Sequence, residues 1–111
     1  MQVLPGTLEL LVLKALIWGP RHGYGIMDWI QDSSGGLDLE EGALYPALHR
    51  MEERGWLESE WGRSETNRRA KFYGLTPRGR RQLTAKTSEW NRHVEAIARV
   101  LGATRPQEGA S

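Results

Sequence analysis

Basic side chains are concentrated in one part of the chain. Residues 1–62 contain four Lys or Arg and ten Asp or Glu, whereas residues 63–92 contain nine basic and two acidic side chains. The densest run covers residues 63–71, where four cations surround Glu65. In a chain whose net charge is only +1, such a local excess of positive charge indicates a polyanionic partner.

The residue types that perform catalysis are dispersed or missing. His22, His49 and His93 lie in three separate segments, and the sequence has no cysteine to act as a nucleophile or metal ligand. It also lacks the HExxH pattern of zinc hydrolases and the glycine-lysine motif of phosphate-binding loops. We therefore expect no enzyme activity, no metal site and no cofactor.

Length and composition set the class of protein. A chain of 111 residues fits one domain, and its 39% hydrophobic and 26% charged residues support a packed core. The longest apolar stretch, residues 8–18, contains Glu9 and Lys14 and is too short to cross a bilayer. The N-terminus shows no secretion signal. These features predict a cytoplasmic protein without membrane association.

Hydrophobic spacing predicts three helices before the basic run. A buried helix begins at Thr7 and ends before Gly19, a second begins around His22, and a third covers residues 41–54. A short extended link joins the second helix to the third. Pro46 conflicts with a regular third helix because an interior proline removes a hydrogen bond, so we expect a kink or an early tight turn there.

Two strands and a long helix follow. Residues 56–61 and 71–75 alternate as strands do, and the polar stretch between them predicts a hairpin with a long basic tip. Thr76 and Pro77 suit the cap and first turn of a helix that continues to about Leu101. The predicted fold is mainly α (α+β), a winged helix-turn-helix with a two-stranded wing and a long C-terminal dimerisation helix.

This order divides the chain into three parts. Residues 1–76 form the predicted winged helix-turn-helix DNA-binding domain, residues 77–101 form a dimerisation helix packed with it as one unit, and residues 102–111 form a flexible tail. In such a fold the second of two crossed helices lies in the major groove of DNA. That position corresponds to the third helix here.

The third helix offers polar side chains beside the apolar stripe formed by Leu44, Leu48 and Met51. Tyr45, His49 and Arg50 can contact phosphates or base edges. An ordinary amphipathic helix explains the same pattern, and the acidic residues on this helix would repel phosphates. The basic hairpin favours contact with DNA, because its cations can reach phosphates or the minor groove. For the hairpin itself, the alternative interpretation is a solvated tip without a ligand.

The final helix carries an apolar stripe that its own domain is too small to cover. Leu83, Trp90 and Ile97 are seven residues apart, and Val94 and Leu101 add a neighbouring row. A helix of about 25 residues extends roughly 37 Å. A partner subunit is the simplest cover, and a helix folded back on its own domain is the alternative. Trp90 can serve as interface packing, and the alternative is that it stacks on a flat aromatic effector between subunits.

Several motifs in order resemble the PadR family of bacterial winged-helix transcriptional regulators. The similar segments are residues 6–13 (GTLELLVL), 22–26 (HGYGI), 41–52 (EGALYPALHRME), 55–57 (GWL), 68–73 (RRAKFY) and 75–79 (LTPRG). Because no second helical region follows Gly102, the chain is most similar to the short form of the family. Alanine at position 43 replaces the threonine that is frequent there, which removes one hydroxyl that could contact a phosphate.

The resemblance implies DNA-facing positions around Tyr45, a wing that contains Arg68, Arg69 and Lys71, and dimer contacts through the last helix. With the charge pattern it gives these candidate DNA contacts: Ala43, Tyr45, Pro46, His49, Arg50, Arg63, Asn67, Arg68, Arg69 and Lys71. The candidate dimer contacts are Leu8, Leu11, Leu83, Trp90, Val94, Ile97 and Leu101.

The function expected from these features is transcriptional regulation. The hypothesis is a repressor that binds a palindromic operator in double-stranded DNA as a homodimer and responds to an effector. The alternative is a winged-helix module for protein–protein contact, in which the apolar C-terminal stripe matters and DNA affinity is incidental.

Overall fold

Four helices and three strands make up the fold. The computed structural model describes residues 1–4 and 6–106. Its elements are α1 (Leu8–Ala15), β1 (Arg21–His22), α2 (Gly23–Ser34), α3 (Glu41–Glu53), β2 (Leu57–Arg63), β3 (Arg69–Leu75) and α4 (Pro77–Leu101). This order confirms the predicted winged helix-turn-helix with a long final helix. None of the described helices is long and apolar enough to cross a membrane.

The core lies where the apolar sides of α1, α2 and α3 meet. Its fully covered side chains recur at three- and four-residue spacing, as expected for one face of a helix. They include Val12, Leu13, Leu16, Ile26, Ile30, Leu44, Leu48 and Met51. Each such side chain contributes about 1.5–3 kcal/mol through the apolar surface that it removes from water.

The sheet has three strands, in the order β1, β3, β2. The prediction of a two-stranded wing was therefore incomplete, because Arg21 and His22 pair with Tyr73 and Phe72 of β3. A strand of two residues is too short for an alternating pattern to be recognised. Its pairing also depends on a segment about fifty residues further along the chain, which local sequence does not report.

The hairpin strands are longer than predicted, and the tip is shorter. β2 and β3 stay in register from Leu57 and Leu75 to Arg63 and Arg69, which leaves residues 64–68 as the tip. The predicted tip, residues 62–70, was too long, since Arg63 and Arg69 lie in strands. Beyond the core both sides of the hairpin face water, so polar residues replace the alternation that marks a strand.

α3 runs without a break from Glu41 to Glu53 and contains Pro46. The early tight turn predicted at this proline was wrong. Proline leaves the carbonyl of the residue four positions earlier without its helical hydrogen bond. That residue is Gly42, which is exposed together with Pro46, so water can satisfy the carbonyl at little cost.

α4 begins in close contact with the body of the protein. Thr76 caps it by accepting a hydrogen bond from Gly79 N, and its hydroxyl donates to the Gly55 and Trp56 carbonyl oxygens, at 2.6 and 3.1 Å. A Cβ at position 79 would collide with the Trp56 carbonyl oxygen. The start of α4 is therefore fixed against the turn that joins α3 to β2.

The two halves of α4 differ in burial. Leu83 is 8% exposed and belongs to the core of its own protomer, so its assignment to the dimer interface is corrected. The helix then extends away from the body, and the molecule measures 64 × 28 × 23 Å. The predicted flexible tail begins at Gly102 and lies half outside the described residues, which end at position 106.

Candidate nucleic-acid interface

α3 presents one side to solvent next to the hairpin. Leu44, Leu48 and Met51 are buried on the inner side of this helix. The predicted contact residues on α3 all lie on its exposed surface: Ala43, Tyr45, Pro46, His49 and Arg50. They spread around that surface, because Arg50 faces α1, where its Nε lies 3.9 Å from Glu9 Oε1, whereas Tyr45 faces α2.

Tyr45 is held at the start of α2. Its ring lies against Gly23, and a Cβ at position 23 would collide with the Tyr45 hydroxyl. Partial burial raises the pKa of Tyr45, with smaller contributions from Tyr24 and Glu41. The phenol therefore keeps its proton and can donate a hydrogen bond from a side chain that remains 39% exposed.

The acidic residues of α3 have partners in the fold. A hydrogen bond to Glu41 raises the pKa of Tyr24, and Glu53 Oε1 lies 2.8 Å from His49 Nε2. Glu52 accepts from the Ser59 hydroxyl at 2.6 Å. Hydrogen bonds from hydroxyl groups hold the carboxylates in place but leave their charge unchanged, so their repulsion of phosphates is reduced only where a cation lies beside them.

Glu52 also connects α3 to the hairpin. Lys71 Nζ on β3 lies 3.3 Å from Glu52 Oε1. The Ser59 hydrogen bond lowers the pKa of Glu52, and Lys71 lowers it further, although partial burial opposes the shift. Lys71, a candidate DNA contact from the sequence, lies in this contact between β3 and the end of α3.

One side of the hairpin changes from apolar to basic along its length. Residues directly opposite each other share a side, so the register puts Leu57 and Leu75 together at the base and Arg63 and Arg69 together near the tip. Trp61 lies opposite Lys71 between them. An open cleft of ≈ 600 Å³ separates this side from α2 and α3, and it is lined in part by Tyr24, Tyr45, Trp61, Arg68 and Arg69.

The remaining wing cations are exposed and available. Arg69 stacks on Trp61 with Cζ 4.3 Å from the ring centroid, and Arg63 Nη1 donates to the Asn67 carbonyl oxygen at 3.3 Å. Asn67 itself adopts φ 60°, a left-handed conformation that asparagine tolerates. In the described part of the chain, no carboxylate oxygen lies within 4.0 Å of Arg63, Arg68 or Arg69.

Sequence reasoning missed a contact that attaches the hairpin tip to α2. Glu65 Oε2 lies 3.6 Å from His22 Nε2, and His22 Nδ1 accepts the Gly25 N–H as the cap of α2. A neutral imidazole with its proton on Nε2 satisfies both contacts. The pKa of Glu65 is lowered, mainly by a backbone hydrogen bond and then by His22. No local sequence signal joins positions 22 and 65.

The second half of α4 exposes a narrow apolar stripe. Trp90, Val94, Ile97 and Leu101 are 38%, 43%, 43% and 80% exposed, at spacings of four, three and four residues. This spacing is the one that two helices use to pack along each other. Of the other predicted interface residues, Leu8 and Leu11 on α1 are half-buried against the core.

Comparison with known proteins agrees with this architecture. Residues 12–85 match the family model described as "Transcriptional regulator PadR-like family". The chain belongs to the PadR-like family of transcriptional regulators. This membership confirms the predicted family and fold, and it makes the chain a transcriptional regulator and not an enzyme.

Individual relatives support the assignment. Transcriptional regulator Rv3488 of Mycobacterium tuberculosis is 44% identical to this chain over 83 residues. The matched part is 74% of this chain and 61% of that protein, so this chain spans less than two thirds of the length of Rv3488. A PadR family transcription regulator from Clostridium difficile R20291 has a similar structure, with a TM-score of 0.76 and 30% identity over 87% of this chain and 100% of that one. A Clostridium thermocellum transcriptional regulator gives a TM-score of 0.77 at 30% identity, with 85% and 92% covered.

Proposed function

We propose that this PadR-like regulator is a repressor that binds a palindromic operator as a homodimer. The exposed side of α3 would enter the major groove, and the hairpin would act as a wing along the neighbouring backbone. A regulator that occupies chromosomal DNA in this way works in the cytoplasm. Two bound protomers would cover successive turns of the duplex and block access to a promoter.

The observation that carries this proposal is the distribution of charge around the cleft. Glu52 on α3 is paired with Lys71, whereas Arg68 and Arg69 line the cleft without an acidic partner among the described residues. Cations that keep their charge next to a surface helix suit a polyanion. This arrangement supports DNA over the alternative of a module for protein–protein contact.

The apolar stripe of α4 supports the dimer. Trp90, Val94 and Ile97 would pack against the same residues of a second copy related by two-fold symmetry, as an isologous interface requires. Half-sites about 34 Å apart, one turn of the duplex, would then match the two copies of α3. A palindromic operator follows from this symmetry.

An effector site is the last element of the proposal. Trp90 borders an open groove between α1 and α4, which is also lined by Thr7, Leu10, Lys86 and His93. A second protomer packed on the α4 stripe would lie beside this groove, because Trp90 belongs to both. A flat aromatic compound could then stack on Trp90, although interface packing alone explains the residue as well.

The test is a selection from a pool of duplexes with a randomised centre, followed by fluorescence-anisotropy titration of the recovered duplex and a scrambled duplex. We expect the recovered sequence to be an inverted repeat, bound more tightly than the scrambled one and with strong salt dependence. Arg68→Ala should make the slope of log K against log salt shallower by about 1.8, since each of the two protomers loses one phosphate contact.

Two results would contradict the proposal. Equal and weak binding to both duplexes would favour the protein-contact module instead. Recovery of a sequence without two-fold symmetry would leave a DNA-binding regulator but would exclude the palindromic operator. Expression of a reporter behind the recovered sequence would separate repression from activation.

A further inference from the structure

Trp61 is a large aromatic residue that the core does not use. It lies on β2 with 60% of its surface exposed, on the same side of the hairpin as the buried residues Leu57 and Tyr73. A single exposed apolar side chain needs no explanation. Trp61 differs because it lines the cleft and carries the guanidinium of Arg69 on its ring face at 4.3 Å.

The stack orients Arg69 and leaves its positive charge without a counterion within the residues that the structure describes. A guanidinium has five N–H donors in its plane, and an aromatic ring contacts only its face. The donors at the edge stay available to an anion. Lys71 on the same strand shows the opposite arrangement, since the Glu52 carboxylate occupies its ammonium group.

Arg63 brings a second guanidinium next to Arg69. The two residues are directly opposite each other in the antiparallel register. Like charges in this position destabilise a hairpin, and no described carboxylate oxygen lies within 4.0 Å of either side chain. An anion between them would turn this repulsion into attraction. The arrangement therefore indicates an anionic ligand.

We propose that Trp61 is a positioning residue for DNA binding. It holds Arg69 so that Arg69 and Arg63 together bind one backbone phosphate. The inference rests on the proposed function and adds to it a specific phosphate site on the wing strands. Trp61 acts through Arg69, whereas recognition of base edges belongs to α3.

The experiment compares Trp61→Leu, Trp61→Phe, Arg69→Ala and the Trp61→Leu/Arg69→Ala double variant with the parent. The probe is the selected duplex, titrated by anisotropy over a series of salt concentrations. The matched control is Trp18→Leu, because Trp18 is 65% exposed and lies 5.2 Å from Lys14 Nζ but does not line the cleft. Thermal unfolding of each variant checks the fold.

We expect Trp61→Leu to weaken binding about 5- to 30-fold, because Arg69 is then no longer held in place and must be ordered on binding in both protomers, and to lower the salt slope. Trp61→Phe should restore part of this loss, because it keeps an aromatic face. In the Arg69→Ala background, Trp61→Leu should have no further effect, since the residue that it positions is gone. Trp18→Leu should bind as the parent does.

A loss from Trp61→Leu that is equally large in the Arg69→Ala background would overturn the inference, because Trp61 would then contact DNA independently of Arg69. An unchanged affinity and salt slope in Trp61→Leu would overturn it as well. Neither result would affect the proposed function, which fails only when the parent protein shows no preference for a selected duplex.

Discussion

Ile97→Ala tests the proposed subunit interface with a small change in the middle of the α4 stripe. The side chain is exposed in the protomer and lies between Val94 and Leu101 on the same side of the helix. Alanine has the highest helix propensity, so the substitution leaves the helix itself at least as stable. Any loss of dimer then reports contact with the partner.

The expected magnitude follows from the exposed fraction. Replacing Ile by Ala removes three carbon groups, each worth about 0.8 kcal/mol when fully buried. Ile97 is 43% exposed. A partner that covers this exposed fraction therefore gains about 1 kcal/mol of association free energy per protomer from these groups. Two-fold symmetry doubles the loss to about 2 kcal/mol, which raises the dimer dissociation constant about 30-fold.

Sedimentation velocity over a range of protein concentrations measures this constant. Arg99→Ala is the matched control, because position 99 lies on the opposite side of the same helix from Ile97. A dissociation constant of Ile97→Ala within about threefold of the parent, with the control also unchanged, would refute the assignment of the α4 stripe to the interface.

Three further substitutions test the body of the protein. Gly23→Ala should push the Tyr45 ring out of its position and weaken DNA binding with little effect on thermal unfolding, whereas unchanged binding would argue against a role for Tyr45. Gly79→Ala should destabilise the fold by about 1–3 kcal/mol in urea unfolding, because the new Cβ meets the Trp56 carbonyl; an equal midpoint would contradict the close contact. The pKa of Glu52 is lowered from 4.5 in the folded state, so its contribution to stability is present above that pH and is lost as the pH falls below it. Glu52→Gln should therefore lose less stability than the parent on acidification, and parallel pH profiles would exclude this contribution.

Patterns within one element were sufficient to predict much of the fold. The apolar spacing of α3 identified Leu44, Leu48 and Met51 as its buried side, and all three are covered. Thr76 and Pro77 predicted the start of α4, where the Thr76 hydroxyl accepts from Gly79 N at 3.0 Å. These features depend on neighbours within four residues, and such interactions leave a direct mark on the sequence.

The features that sequence reasoning missed depend on residues far apart in the chain. β1 exists because it pairs with β3, and Leu83 is buried because α4 packs on α1 and on β3. Lys71 was recognised as basic, but its neutralising partner Glu52 lies on another element. The Trp61–Arg69 stack was missed because the sequence indicated only that Trp61 belongs to a strand. The position of Arg69 beside it follows from the pairing register of β2 and β3.

The start of α4 connects the proposed dimer interface to the proposed DNA-binding surface. The Thr76 hydroxyl joins it to the Gly55 and Trp56 carbonyls, and Arg78 Nη1 donates to the Arg54 carbonyl at the end of α3, at 3.2 Å. In a dimer formed through α4, a change in the crossing angle of the two α4 helices would therefore move each α3 with its wing. An effector at Trp90 would not need to reach the DNA-binding surface, because a small rotation of α4 would alter the separation of the two α3 helices and with it the match to both half-sites.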